Sequence, residues 1–214
     1  MTPRPIARLA RAAGLAAALA ALSGCATVSA LSSASAPLDA YALTPLAFSG
    51  EGGGGSRHIV VEVPTTSGAI ATDRILVKPS ALQAAYLPGA RWVDAAPVLV
   101  QTLLVQSMQA SGAFRLVSRS SLGLFPDNTL VTELNAFQAE PGPPEGPAYV
   151  VRVAMTMTLV RESDGALVAS RSFAASAGAA SVQPLAIAAA FDAATGAALR
   201  QAVQWVAGAG AGRV

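Results

Sequence analysis

The chain has 214 residues, of which 53% are apolar and 12% charged, and its formal net charge is +2. Three of its fourteen basic residues and none of its twelve acidic residues lie in the first 24 positions, so removal of that segment leaves a charge of −1. No basic cluster remains, which argues against nucleic-acid binding. A surface with so little charge favours contact with partners, although an Ala-rich composition also arises from genomic bias.

The first 24 residues combine the parts of an export signal. Three arginines precede an uninterrupted apolar run at residues 12–22. As a helix this run would rise roughly 16 Å, which is too short for the ~30 Å hydrocarbon core of a membrane. Residues 22–25, with the sequence LSGC, then resemble the lipobox of bacterial lipoproteins. The alternative is an ordinary signal peptide in which Cys25 has no special role.

Cys25 is the only cysteine, so it cannot form a disulfide within the chain. The lipobox resemblance implies that Cys25 is acylated and becomes the first residue after cleavage. Several acyl chains together anchor a protein firmly, at about 0.8 kcal/mol per buried CH₂. Enterobacterial lipoproteins that are retained at the inner membrane have Asp directly after the acylated cysteine. This chain has Ala26 there, so the resemblance implies that the protein is located at the outer membrane. Residues 25–37 are predicted to be the acylated N-terminus and a flexible tether.

Short strands are predicted over residues 38–48, 58–64 and 72–79. The glycine-rich segment 49–57 lacks the Lys and Ser/Thr that follow the glycines of a phosphate-binding loop, so it is predicted to be a linker or hairpin loop. Residues 85–94 are predicted to be an extended connection that packs on the domain.

A helix is predicted over residues 98–110, with Asp94 as N-cap, Pro97 in its first turn and a stop at Gly112. Its polar stripe of Thr102, Gln106 and Gln109 fits either a solvated edge or a contact surface in an assembly.

The second half of the chain has clearer periodicity. Strands are predicted over residues 114–119, 129–140, 148–162 and 166–176, with a hairpin turn at Asp164-Gly165. The methionines in the third of these strands are predicted to fill the core. A closing helix is predicted over residues 184–208, where Gly196 lowers helix stability by ~1 kcal/mol and suggests close packing against the sheet.

This order of elements predicts an α+β fold, with a mixed, largely antiparallel sheet and two main helices packed on one face. The predicted domain covers residues 38–208.

The sequence offers few groups for catalysis or metal binding. His58, the only histidine, begins a strand and is predicted at the sheet edge. No Cys/His pair and no G-x-S-x-G nucleophile motif occur, so no metal, cofactor or enzymatic activity is expected. The twelve carboxylates are scattered, and a glycosidase-like pair among them remains an alternative.

Three segments carry a resemblance to a known family. They are YALTP, residues 41–45, TDRILVKP, residues 72–79, and AYLPGARWVDAAPVLVQTLLVQSMQASGAFRLVSR, residues 85–119. Together with the lipobox, the long alternating hairpin and the Ala-rich helix, they resemble the ABC-type transport auxiliary lipoprotein family over residues 38–207.

The resemblance implies a homo-oligomeric lipoprotein anchored at the periplasmic face of the outer membrane. Its implied partners are an MCE-domain protein with its permease and ATPase, which move phospholipids or other hydrophobic molecules between membranes. Tyr86, Arg91 and Trp92 are candidate contacts for such a partner, and their packing onto the sheet is the alternative. A second reading is an envelope lipoprotein that activates a cell-wall synthase or assembles other envelope machinery.

Overall fold

The computed structural model describes residues 37–48 and 54–209, so the predicted signal peptide, Cys25 and nearly all of the tether lie outside the described residues. In the described part, no helix is long and apolar enough to cross a membrane. Nine strands and two helices occur there, and the predicted α+β class is confirmed. The elements are β1 (Asp39–Tyr41), β2 (His58–Val61), β3 (Thr65–Thr66), β4 (Arg74–Ser80), β5 (Gln83–Trp92), α1 (Ala96–Ala110), β6 (Leu116–Ser118), β7 (Asn128–Pro141), β8 (Tyr149–Arg161), β9 (Leu167–Ala179) and α2 (Pro184–Gly208).

The mixed sheet is organised around β7. One side of β7 pairs antiparallel with β8 along its whole length, and β8 pairs antiparallel with β9. The other side pairs in parallel with β2 and β3, and then with β4 near the end of β7. The β8–β9 connection turns at Gly165, whose φ of +66° is a conformation that glycine adopts without steric cost. The start of β7 and the β8–β9 hairpin therefore meet at one end of the domain.

A single hydrophobic core fills the space between the sheet and both helices. Alternate side chains of β8 point into it, including Met155 and Met157, which are fully buried as predicted. Trp92, Phe137 and Phe191 form an aromatic cluster at its centre, with ring centroids 4.9 to 5.7 Å apart. Helix α2 packs on β8 and β9, and α1 packs on β2 and β6.

Several local predictions are wrong in detail. The predicted connection at 85–94 is strand β5, in which Pro88 and Gly89 lie in an irregular stretch between the paired residues Tyr86 and Arg91. A strand tolerates proline at such an irregularity. Helix α1 begins at Ala96 after Ala95 and has no side-chain cap, so Asp94 does not cap it.

The predicted strand at 38–48 is reduced to β1, and residues 42–48 instead cross the helices without regular structure. The Leu46 N–H donates to Ser107 Oγ on α1 at 3.0 Å, and the Thr44 N–H donates to Asp192 on α2. Gly196 faces this segment rather than the sheet, because a Cβ atom added at Gly196 would contact the Leu46 side chain.

His58 does not lie at the sheet edge. It belongs to β2, which is flanked by β6 and β7, and its side chain is fully buried. Its Nε2 atom lies 2.9 Å from Ser118 Oγ on β6. The histidine therefore joins two neighbouring strands in the interior.

Candidate functional site

The three residues predicted as partner contacts occupy different environments. Trp92 is 0% exposed, and its ring lies 5.7 Å from Phe137 and 5.0 Å from Phe191 between centroids. A side chain in this position stabilises the core and has no surface to offer a partner. The packing alternative therefore applies to Trp92.

Tyr86 and Arg91 lie on an exposed polar patch, which we call the β5 surface and define by Asp73, Arg74, Tyr86 and Arg91. The Arg74 guanidinium stacks over the Tyr86 ring at 5.6 Å from its centroid, and the Tyr86 hydroxyl donates to the carbonyl oxygen of Ala69 at 3.3 Å. Arg91 Nη1 lies 3.5 Å from Asp73 Oδ2. The β5 surface thus presents an aromatic ring and ionic groups to solvent, and partner binding there stays a prediction.

The polar stripe of α1 makes local contacts. The Thr102 hydroxyl donates to the Val98 carbonyl at 2.8 Å and accepts a hydrogen bond from Arg119 at 2.8 Å. Gln109 Nε2 donates to the Val117 carbonyl at 2.9 Å. These bonds tie α1 to the strand and loop that follow it, which favours the interpretation as a solvated edge.

Several carboxylates have structural roles. Asp127 Oδ2 accepts from the His58 N–H at 2.6 Å and lies 3.6 Å from Arg115. The hydrogen bond from Gln138, followed by the contact with Arg152, lowers the pKa of Glu140. Within residues 37–48 and 54–209, no group of three or more His, Asp or Glu side chains has a spacing that could hold a metal.

A groove of about 1110 Å³ lies at the end of the domain where α2 stops. Its walls come from the segment before β2, the β6–β7 loop, the β8–β9 hairpin and the last turn of α2. Trp205 on α2 lines the groove and packs edge-on against Phe173 of β9, with centroids 5.5 Å apart. We call this feature the α2-end groove.

Arg57 holds the helix end that borders the α2-end groove. Its Nη2 atom donates to the carbonyl oxygens of Val206 and Ala207, both at 2.9 Å, where a cation is favoured by the helix dipole. Burial lowers the pKa of Arg57 and Asp127 opposes the shift, but an arginine stays charged at neutral pH. The Nη1 atom is buried and has no hydrogen-bond partner among the described residues.

Large apolar side chains are exposed beside this groove. Phe125 of the β6–β7 loop is 98% exposed, and Leu167 at the start of β9 is 66% exposed; both line the groove. Leu122 and Leu124 in the same loop are also exposed, and Leu122 has a φ of +55°, which is strained for a residue with a Cβ. No function was predicted for the segment between the predicted strands at 114–119 and 129–140, although its three large apolar residues are a signal of another role.

Comparisons with known proteins agree with the sequence resemblance. A family model described as ABC-type transport auxiliary lipoprotein component matches residues 41–203. Among solved structures, protein XCC0632 from Xanthomonas campestris has a TM-score of 0.72 and 24% identity, with 80% of this chain and 96% of that chain covered. An uncharacterised protein has a TM-score of 0.62 and 15% identity, with 80% and 99% covered.

These two likenesses show a shared fold. A comparison with curated proteins finds no match. The family model spans most of the chain, from the last residue of β1 through β9 and into α2 as far as Val203. The chain therefore belongs to the ABC-type transport auxiliary lipoprotein family.

Proposed function

We propose that the chain is the outer-membrane-anchored auxiliary component of an MCE-type ABC transport system for phospholipids or other hydrophobic molecules. In this role the folded domain, residues 38–208, docks and assembles the MCE-domain protein that works with the permease and the ATPase. The observation that carries the proposal is the family match over residues 41–203. The chain itself supplies a binding surface in this system and performs no catalysis.

Membrane anchoring in this proposal depends on Cys25. The full-length chain is expected in the outer-membrane fraction, with the signal peptide removed before Cys25. Replacing the thiol by a hydroxyl in Cys25→Ser removes the site of acylation, so the variant should lose both the cleavage and the outer-membrane location. Fractionation with intact-mass measurement tests this, and a Cys25→Ser chain that is cleaved and retained as before would contradict the anchor.

Docking is tested by co-purification of the detergent-solubilised chain with the MCE-domain protein. The β5 surface provides the variants Tyr86→Ala and Arg91→Ala, which remove exposed groups without opening the core. Arg152→Ala is the matched control, because it also removes an exposed arginine from an ion pair, the one with Glu140. We expect the β5 variants to reduce recovery of the partner and the control to retain it.

Self-association is the second part of the proposal, since a docking component gains affinity when several copies present the same surface. Light scattering on the solubilised chain should give a mass of several copies. A monomer that also fails to recover the MCE-domain protein would overturn the proposal. A crosslink to a peptidoglycan synthase in its place would support the alternative envelope role.

A further inference from the structure

We propose that the α2-end groove binds one phospholipid molecule, with an acyl chain against Phe125, Leu167 and Trp205 and a zwitterionic head group at the charged rim. This inference rests on the proposed function and extends it, because the chain would bind the transported lipid as well as dock the MCE-domain protein. The size of the groove, its apolar wall and the charges beside that wall support this assignment.

The size of the groove fits a ligand of this class. Its volume of about 1110 Å³ lies slightly above the range of roughly 300–1000 Å³ typical of small-molecule sites, as a lipid larger than most such ligands requires. Its walls are already formed by the ends of α2, β8 and β9, with the packed pair of Phe173 and Trp205 beneath. A ligand can therefore enter without rearrangement of the core.

The wall is apolar where an acyl chain would lie. Phe125 comes from the β6–β7 loop and Leu167 from the start of β9, and both keep most of their side-chain surface in water. Pro126 and Val168 extend the same wall, and Trp205 is only partly buried beside it. An exposed apolar cluster of this kind gains stability when a hydrocarbon chain removes it from water.

The rim offers both signs of charge in one groove. Arg57 and Arg161 are the cations, and Asp127 and Glu162 are the anions. Arg161 keeps 47% of its side chain exposed beside its ion pair with Asp164, and Glu162 takes part in none of the four ion pairs of the described residues. A phosphate beside Arg161 and an ammonium group beside Glu162 match these two charges, which is the charge pattern of a zwitterionic head group.

The chain contains its own reporter for this site. Of its two tryptophans, Trp92 is fully buried in the core and Trp205 lines the groove. The fluorescence of Trp205 should shift to shorter wavelength when hydrocarbon replaces water beside it. Trp92→Phe isolates this signal, and Trp205→Phe removes it.

The experiment titrates the full-length chain carrying Cys25→Ser with diheptanoyl phosphatidylcholine below its critical micelle concentration. We expect a saturable Trp205 shift, and no shift with glycerophosphocholine, which has the head group without acyl chains. The double variant Phe125→Ser/Leu167→Ser should weaken binding at least tenfold. Leu82→Ser is the matched control, because Leu82 is fully exposed at the opposite end of the sheet and should leave affinity unchanged.

The head-group assignment has its own test. Glu162→Gln should weaken binding of phosphatidylcholine and leave binding of phosphatidylglycerol with the same chains unchanged, because only the former carries an ammonium group. Equal effects on both lipids would overturn the assignment of the zwitterion.

Two results would overturn the groove itself as a lipid site. One is the absence of any saturable Trp205 shift in wild-type and Trp92→Phe backgrounds. The other is a loss of MCE-protein recovery in Phe125→Ser/Leu167→Ser without lipid binding, which would make the groove a protein-docking surface. Because lipid binding is measured on the purified chain alone, its failure is distinct from failure of the docking function.

Discussion

Gly196 provides a stability test that can be worked out from its surroundings. It lies in the interior of α2, where glycine is less favourable than alanine by about 1 kcal/mol. A Cβ added there would lie 3.6 Å from Leu46 Cδ2, which is an ordinary van der Waals contact. We therefore expect Gly196→Ala to raise the free energy of unfolding by about 0.5–1 kcal/mol, which corresponds to a rise in Tm of about 1–4 °C for a domain of this size.

The matched control is Gly178→Ala in β9. A Cβ at Gly178 would lie 2.7 Å from Pro147 Cγ, so the loop must shift, and we expect a loss of about 1–3 kcal/mol. Urea and thermal unfolding followed by circular dichroism on the Cys25→Ser chain measure both variants. If Gly196→Ala lowers the free energy of unfolding, or if the two substitutions change it equally, then the space around Gly196 is too small for a methyl group and the reasoning is wrong.

Three further substitutions test individual contacts. Leu122→Asn should raise the free energy of unfolding by about 0.5–1 kcal/mol, because asparagine tolerates the positive φ of +55° better than leucine; a loss on urea unfolding would contradict the strain. Arg57→Met should lower it by about 1.5–3 kcal/mol, because two charged hydrogen bonds to the end of α2 disappear, and unchanged thermal unfolding would contradict that role. Glu140→Gln tests pH dependence: the folded-state pKa is lowered, so the carboxylate contributes stability above its usual pKa of 4.5 and loses it as the pH falls through the folded value. The variant should therefore lose less stability than the wild type between roughly pH 5 and pH 3, and a parallel acid profile would contradict the assignment.

The elements with strong local signals could be predicted from the sequence. Residues 148–162 alternate along their length, and β8 covers Tyr149–Arg161. The closing helix begins at Pro184 and ends at Gly208, as predicted, since proline suits a first turn and Gly208 marked the predicted stop. The turn at Asp164-Gly165 is confirmed by the bond from the Ala166 N–H to Asp164 Oδ1 at 3.1 Å. In each case the physical cause lies within a few residues.

Features that depend on distant pairing could not be predicted in the same way. Strand β5 has Pro88 and Gly89 in its interior, and its pairing with β1 and β4 overrides that local signal. His58 begins a short apolar segment, and its interior place follows from the parallel pairing of β2 with β6 and β7. The α2-end groove unites four segments between Arg57 and Ala209, so no single stretch of sequence contains it.

The Ala-rich, charge-poor composition has an explanation in the core as well as in partner contact. Five alanines of α2 are at most 5% exposed where the helix faces the sheet: Ala188, Ala190, Ala194, Ala198 and Ala202. Small side chains let a helix approach a sheet closely, so much of this composition serves internal packing. The four described ion pairs are exposed and add little stability. Low charge alone therefore does not mark the whole surface as a contact surface. The exposed apolar residues beside the α2-end groove are a more specific indication, because the core does not require them.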